Sequence, residues 1–366
     1  MHEAERGLCE LQQGRSLYVT TPDGHAPEAA VLLATVEGLK RQTLEQLRGL
    51  DRRSIRLTVT RHRAEAMGLS NGGRPCNMSL ALNGETSPEQ ILRLSSSAGK
   101  HAVDMLDLRE ASTAEVGGLT LARLGRLLPA IVSVPVDLTM APEFRALQES
   151  GAVLSVTTAQ IDAMAANGRV ELTHVSEGPI PLVEAEDARF MFFREANGLL
   201  EHVAILIGDR AHWPDPVPVR IHSACLTGDL FGSLRCDCGE QLHGSLRIFA
   251  GSGGGVLLYL SQEGRGIGLG NKLRAYGLQQ EGLDTVDADH TLGFGADERR
   301  YDAAVEMLRH LEIERVQLLT NNPEKVRALR DAGIRVIDRQ PLYGTLNRHN
   351  LKYVRAKVHR AGHWPR

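Results

Sequence analysis

The stretch VLLYLSQEGRGIGLGNKLRAY, residues 256–276, decides how the second half of the chain is read. Val256 to Leu260 is a short apolar run of the kind that forms a buried strand. A loop with glycine at 264, 266, 268 and 270 follows, and a helical pattern runs from about Asn271 to Gln280. The same alternation continues outward on both sides. Val217 to His222 reads as a strand and Glu240 to Ala250 as a helix broken by GSGGG at 251–255. Asp297 to Leu311 has Tyr301, Val305, Leu308 and Leu311 on one helical face. Arg315 to Leu319 is a strand, and Pro323 to Gly333 is a helix with proline at its first position and glycine past its end. Strands alternating with helices predict a mixed α/β (α+β) architecture.

Chain length, 366 residues, predicts two domains at roughly 150 residues each. The texture changes near Val175 to Ile180, so the expected division is 1–174 and 175–366. In the first half, Leu121, Leu124, Leu127 and Leu128 predict a helix over Thr120 to Leu128. Ala130 to Val136 reads as a buried strand, and Thr157 to Asn167 as a helix opened by capping residues.

A net charge of -3 supplies no global field for nucleic acid or an anionic membrane, so neither is an expected partner. No apolar run reaches the length of a membrane span. The acidic opening MHEAERGLCELQQ lacks the apolar stretch of a signal peptide, and the expected location is cytoplasmic. Five cysteines, an odd number, argue against a disulfide framework. Cys9 and Cys76 stand alone and read as small apolar side chains.

Cys225, Cys236 and Cys238 fall within fourteen residues, in HSACLTGDLFGSLRCDCGEQL (222–242). Three thiolates on one zinc leave a tetrahedral corner for water or substrate, whereas His222 or His243 as a fourth ligand would make the site structural. Free thiols are the plain alternative. In 261–276 the glycines, with Arg265, Lys272 and Arg274, suit an anion, although the spacing is neither Rossmann nor Walker. A turn beside a solvated helix is the plain alternative there. Lys325 after Asn322-Pro323, and Arg299 and Arg300 after Asp297, would each sit in a first helical turn, where a cation opposes the dipole. A bound phosphate would relieve that conflict; exposed surface charge is the plain reading.

Taken in order, RIHSACLTGD, GSLRCDCGEQL, LLYLSQEGRGIGLGNKLRAY, HTLGFGADERRY, LLTNNPEKV and the segments TLNRHNLKY and AGH closely resemble the GTP cyclohydrolase II family, over roughly 177–363. The resemblance implies hydrolytic opening of the GTP imidazole ring, with release of formate and pyrophosphate, at the entry to riboflavin synthesis. It implies that Cys225, Cys236 and Cys238 hold Zn2+, and that Mg2+ accompanies the triphosphate. It implies nucleotide binding by Arg220, Ile221, His222, Ser223, Ala224, Gln241, Glu263, Gly264, Arg265, Thr285, Thr320 and Lys325. Asp297 matches the family's general base, Arg299 its suggested nucleophile on the α-phosphate, and Tyr276 a tyrosine needed for the full reaction. A homodimer is the expected assembly.

Ser261, Gly270, Gly277 and Ala224 depart from the family pattern, which leaves room for a relative acting on another nucleobase or for a GTP sensor without turnover. The first half resembles a worn 3,4-dihydroxy-2-butanone 4-phosphate synthase. Where that family carries an acidic magnesium cluster, this chain has TTPDGHAPEAA (20–30); its Gly-His-Thr is matched by Ala111-Ser112-Thr113. With neither the cluster nor the histidine, the first domain is expected not to catalyse the synthase reaction.

Overall fold

The computed structural model describes every residue except 1, 23–29, 52, 70–75, 100–106, 137–141, 167–169, 361 and 366. The chain divides into two compact units. One comprises Met1–Asn167 with Gly270–Ala296, the other Gly168–Leu269 with Asp297–Arg366.

The first unit is built on a seven-stranded sheet. Its strands are β1 (Leu17–Thr20), β2 (Ala30–Thr35), β3 (Arg56–Val59), β4 (Met78–Ala81), β5 (Leu108–Glu110), β6 (Ala130–Pro135) and β7 (Leu154–Thr157). They lie in the order β5-β4-β3-β6-β2-β1-β7, antiparallel except for β1 with β7. The expected strand at 130–136 is β6, buried along Ala130 to Val134. The helix expected over 120–128 instead runs Thr113–Leu124. Ser112 and Glu115 close a capping box at its start. Gly117 and Gly118, which by propensity disfavour a helix, are there for close packing. A Cβ on Gly118 would stand 2.5 Å from Leu33 Cδ2 and 2.8 Å from Ile131 Cδ1. The helix thus lies closer to the sheet than any side chain would permit.

The segment 270–296 packs into this same unit. Thr60 donates to the Gly293 carbonyl (2.7 Å), and the buried Arg63 guanidinium donates to the Thr291 carbonyl (3.1 Å).

The second unit carries β8 (Leu172–Pro179), β9 (Arg189–Glu195), β10 (Glu201–Ile207), β11 (Val217–Ser223), β12 (Gly255–Leu260), β13 (Arg315–Leu319) and β14 (Arg335–Gln340). Their order is β14-β13-β11-β12-β10-β9-β8. The first four in that order pair in parallel and the rest antiparallel. Alternation along β12 separates two cores. Val256, Leu258 and Leu260 face one apolar cluster with Ile221, Leu318, Val305, Leu308 and Leu329, from helices Asp302–His310 and Pro323–Asp331. Leu257 faces the other, with Leu246 and Phe249 of helix Cys238–Gly251. Helices therefore cover both faces of the sheet, as parallel pairing requires.

The helix expected from Asp297 begins only at Asp302. Residues 297–301 form a connector instead, with the Glu298 amide donating to the Arg265 carbonyl (3.0 Å). Asp297 accepts from the Arg299 amide (3.0 Å), a local turn rather than a helix cap. Arg299 and Arg300 are therefore not in a first helical turn, and the dipole argument for them falls away.

Candidate metal and nucleotide site

Because β11, β12 and β13 run parallel, their carboxyl ends deliver three loops to one edge, where ligands of open α/β sheets bind. After β11 come Ala224 and Cys225; after β12, Glu263, Gly264 and Arg265; after β13, Thr320 and then Lys325 in helix Pro323–Asp331. Arg220, Ile221, His222 and Ser223 form the last residues of β11, and Gln241 lies in the first turns of helix Cys238–Gly251.

Cys225, Cys236 and Cys238 converge. Their sulfurs lie within 4.8 Å of one another, and the Cys225–Cys236 pair is 3.7 Å apart. Tetrahedral zinc with bonds of about 2.3 Å requires sulfurs about 3.8 Å apart, so the triad fits such an ion. Crowding raises the thiol pKa values. Contact with Cys225 and burial push Cys236 up to about 11, and contact with Cys225 and Cys236, with burial, holds Cys238 well above an ordinary thiol. A divalent cation among them would invert that balance. Neither His222 nor His243 groups with the three sulfurs; His222 Nε2 is held by Asp229 (3.1 Å) and His243 Nδ1 by Glu184 (2.7 Å).

The triad's loop is fixed chiefly by Asp229, Gly228 and Gly239, which the sequence alone does not single out. Asp229 accepts from the Cys225 amide (2.9 Å), the Tyr259 hydroxyl (3.0 Å) and His222. Gly228 lies directly beneath the sulfurs, where a Cβ would stand 2.7 Å from Cys236 Sγ and 3.1 Å from Cys225 Sγ. Gly239 abuts it in turn, since its Cβ would be 2.4 Å from the Gly228 carbonyl oxygen. Glu263 accepts from the Leu226 amide (2.6 Å), tying the metal loop to the loop after β12. Gln262 joins Ser223 (3.0 Å) to the Arg300 amide (3.0 Å). The glycine at 266 has φ +93, and its Cβ would stand 2.7 Å from the Glu298 backbone. That glycine serves the close approach of two loops. For Gly228 and Asp229 the sequence signal is LTGD itself, an acid and a glycine just after a ligand.

Near the triad lie the buried Arg220 and, beside it, the buried Lys325 and half-buried Arg299. Arg220 donates to the Leu319 carbonyl (2.9 Å) and to Gln241 (2.6 Å), while its Nε is buried with no partner. Burial lowers its pKa to about 10. Lys325 donates to the Ile221 carbonyl (2.7 Å) and stands 5.8 Å from the Tyr301 ring centre. Burial, then Arg220 and Arg299, hold its pKa well below that of a free lysine. Arg299 forks onto Asp297 (2.5 and 2.8 Å). Burial favours the protonated carboxyl of Asp297, but the Arg299 bonds outweigh it and leave the pKa below its usual value.

A lysine with a depressed native pKa binds its proton less readily folded than unfolded. It therefore destabilises the ligand-free fold as pH falls through that interval, and a bound polyphosphate reverses the cost. Lys325→Met is accordingly expected to keep the melting temperature within a few degrees of the parent at neutral pH. It is also expected to raise KM for the nucleotide at least about tenfold, which corresponds to about 1.4 kcal/mol. Thermal melts and steady-state kinetics check the two halves of this expectation.

Tyr276 and Thr285 lie in the first unit. Tyr276 is in helix Leu269–Gln280, with Lys272 Nζ 5.7 Å from its ring centre. Thr285 opens helix Thr285–Thr291, capped by Asp284. Ser112, at the place of the synthase's Gly-His-Thr, is occupied in capping its helix, and 23–29 of the matching acidic segment lie outside the described residues. Among the described residues, no helix is long and apolar enough to cross a membrane.

Comparison with known proteins agrees with this geometry. The pattern of the family described as GTP cyclohydrolase II matches residues 173–341. A GTP cyclohydrolase-2 of Xylella fastidiosa is 41% identical over 98% of this chain and 86% of its own length. One from Azospirillum brasilense is 40% identical over 99% of this chain and 94% of its own. Among solved structures, RibBX of A. baumannii, a two-domain 3,4-dihydroxy-2-butanone 4-phosphate synthase, aligns over 93% of this chain and 99% of its own, at 14% identity and a TM-score of 0.33. With identity of this level across both halves of the chain, this protein belongs to the GTP cyclohydrolase II family.

Proposed function

We propose that the second unit opens the imidazole ring of GTP by hydrolysis. The products are formate, pyrophosphate and a diaminopyrimidinone ribosylamine phosphate, the first intermediate of riboflavin biosynthesis. The observation that carries this reading is the convergence of three sulfurs at the strand ends that also carry Arg220 and Lys325, with Arg299 near Lys325.

The metal is taken to be zinc, which on these sulfurs supplies Lewis acidity toward water and the purine at neutral pH. The protein's own groups do the rest. Cys225, Cys236 and Cys238 hold the ion, and Asp229 and Gly228 hold the loop that presents them. Asp297, which its Arg299 contacts keep ionised, accepts a proton in this reading. Arg299 is held strongly protonated: burial opposes this, but Tyr301 and Asp297 outweigh it. A guanidinium in that state has no lone pair with which to attack phosphorus. In this reading it serves as an electrostatic clamp on the α-phosphate rather than as its nucleophile. Arg220 and Lys325 offset the charge that develops as pyrophosphate leaves, and Mg2+ travels with the triphosphate. Glu263, Gly264, Arg265, Gln241 and Thr320 complete the proposed nucleotide set of this unit. The first unit does not run the synthase reaction in this reading, and the active form is a homodimer.

Incubating purified protein with GTP, with and without a chelator, tests the reading. Formate, pyrophosphate and the pyrimidine are expected in equal amounts, and only with metal present. Zinc-loaded protein that binds GTP and releases no formate would instead identify a sensor. Turnover of a different nucleobase would identify a relative with another substrate.

A further inference from the structure

Residues 342–365 lie beyond the family match, and the TLNRHNLKY and AGH segments in them carry no role so far. In the structure the described residues of this stretch pack on the metal loop. The Thr345 amide donates to Glu240, and Gly344 lies against Asp237, where a Cβ would be 2.7 Å from the Asp237 Cβ. The chain then forms helix Leu351–His359, whose Lys357 donates to Asp237 Oδ1 (2.9 Å). Lys357 Nζ also stands 4.3 Å from the Tyr353 ring centre, so aromatic face and carboxylate fix it from two directions. Past the helix, the His363 amide donates to the Lys357 carbonyl (3.0 Å). The Trp364 amide donates to the Asn321 carbonyl (3.0 Å), and its ring lies 4.5 Å from the Arg339 guanidinium.

Asp237 is the centre of this packing. It stands in sequence between the ligands Cys236 and Cys238. Its second oxygen accepts from Gln241 (2.6 Å), which accepts from Arg220 (2.6 Å). A continuous chain of polar contacts therefore runs Lys357–Asp237–Gln241–Arg220. It joins the strap to the backbone between two sulfurs at one end and to a nucleotide-facing arginine at the other. Three thiolates on a divalent ion carry one excess negative charge, and Lys357 brings a compensating cation to that neighbourhood.

We propose that Lys357 is a positioning residue for the metal centre. Through Asp237 it fixes the Cys236–Cys238 turn, and the strap 342–365 exists to hold it there. The inference rests on the metal site proposed above. It extends the working site past residue 341, into a segment without an assigned function.

The test uses the full chain loaded with zinc or with cobalt. Lys357→Met keeps the stem and removes the charge, Lys357→Arg restores a cation, and Asp237→Asn breaks the same contact from the other side at nearly constant size. The readouts are the rate of metal transfer to a chromogenic chelator and the cobalt–thiolate absorption bands, together with kcat and KM. Lys357→Met and Asp237→Asn are each expected to release metal about 10- to 100-fold faster and to shift the cobalt bands. Most of the activity loss should fall in kcat, and Lys357→Arg should stay near the parent. Asp237→Asn keeps the question open to measurement should Lys357→Met not fold. Parent-like release rates and unchanged bands in either folded variant overturn the proposal. Failure of the parent itself to take up one metal per chain would overturn the underlying site instead, so the two failures are distinct.

Discussion

Cys236→Ser is expected to lose bound metal and formate release together, with turnover below about one-thousandth of the parent. A seryl oxygen retains its proton at neutral pH and cannot replace a thiolate on a soft-ligand site. The two remaining sulfurs no longer define a tetrahedral face. A metal Lewis acid contributes several kcal/mol to charge stabilisation, and about 4 kcal/mol corresponds to three powers of ten in rate. The fold should survive, because the apolar clusters of the second unit lie on its sheet faces and do not depend on the triad. Metal content by atomic emission, circular dichroism and a formate assay on the same sample decide it. Full activity with no metal in the variant would show that the triad is not the reaction centre.

Gly228→Ala is the second large effect, and it changes no ligand. The added methyl would stand 2.7 Å from Cys236 Sγ, 3.1 Å from Cys225 Sγ and 3.1 Å from Cys238 Cβ. Relaxed contacts between such atoms are nearer 4 Å, so the loop or the sulfurs must move. Neither neighbour is free to give way. Asp229 pins the Cys225 amide, and Gly239 is packed so tightly on the Gly228 carbonyl that its own Cβ would have no room. Overpacking of this kind costs about 1–3 kcal/mol, and a displacement near 1 Å at a reacting centre costs about a hundredfold in rate. The expected result is a folded protein with weaker metal binding and kcat/KM reduced about a hundredfold. Titration with a competing chelator, beside kinetics at saturating zinc, separates the two contributions. Kinetics and affinity equal to the parent would mean that the loop has slack the structure does not show.

Periodicity made the second unit's framework visible. β11, β12 and β13 are short apolar runs, and helix Pro323–Asp331 is announced by Asn322, Pro323 and Gly333. The sulfur triad was visible because three cysteines of the same segment are an unusual local concentration. Two kinds of information were not visible. The leucine stripe at 121–128 marks only the last turns of helix Thr113–Leu124, whose first turns carry Gly117 and Gly118 and fit a helix only against the sheet beneath them. The connector 297–301 looked like a helix start because Asp297 has a capping residue's chemistry; its true partners, Arg265 and Gln262, lie on another loop. Asp229 and Asp237 matter through contacts 30 and 120 residues away, to Tyr259 and Lys357. No window of sequence contains both ends of such a pair.

The excursion of residues 270–296 into the first unit bears on how the gene can be divided. A fragment starting at residue 168 would still encode every residue of the metal loop. It would release Val286, Leu292 and Phe294 from their buried places and strand the Thr291 and Gly293 carbonyls that Arg63 and Thr60 now satisfy. Greasy surface would then be shown to every neighbouring copy, so such a fragment should sediment as aggregate unless residues 1–167 are supplied alongside it.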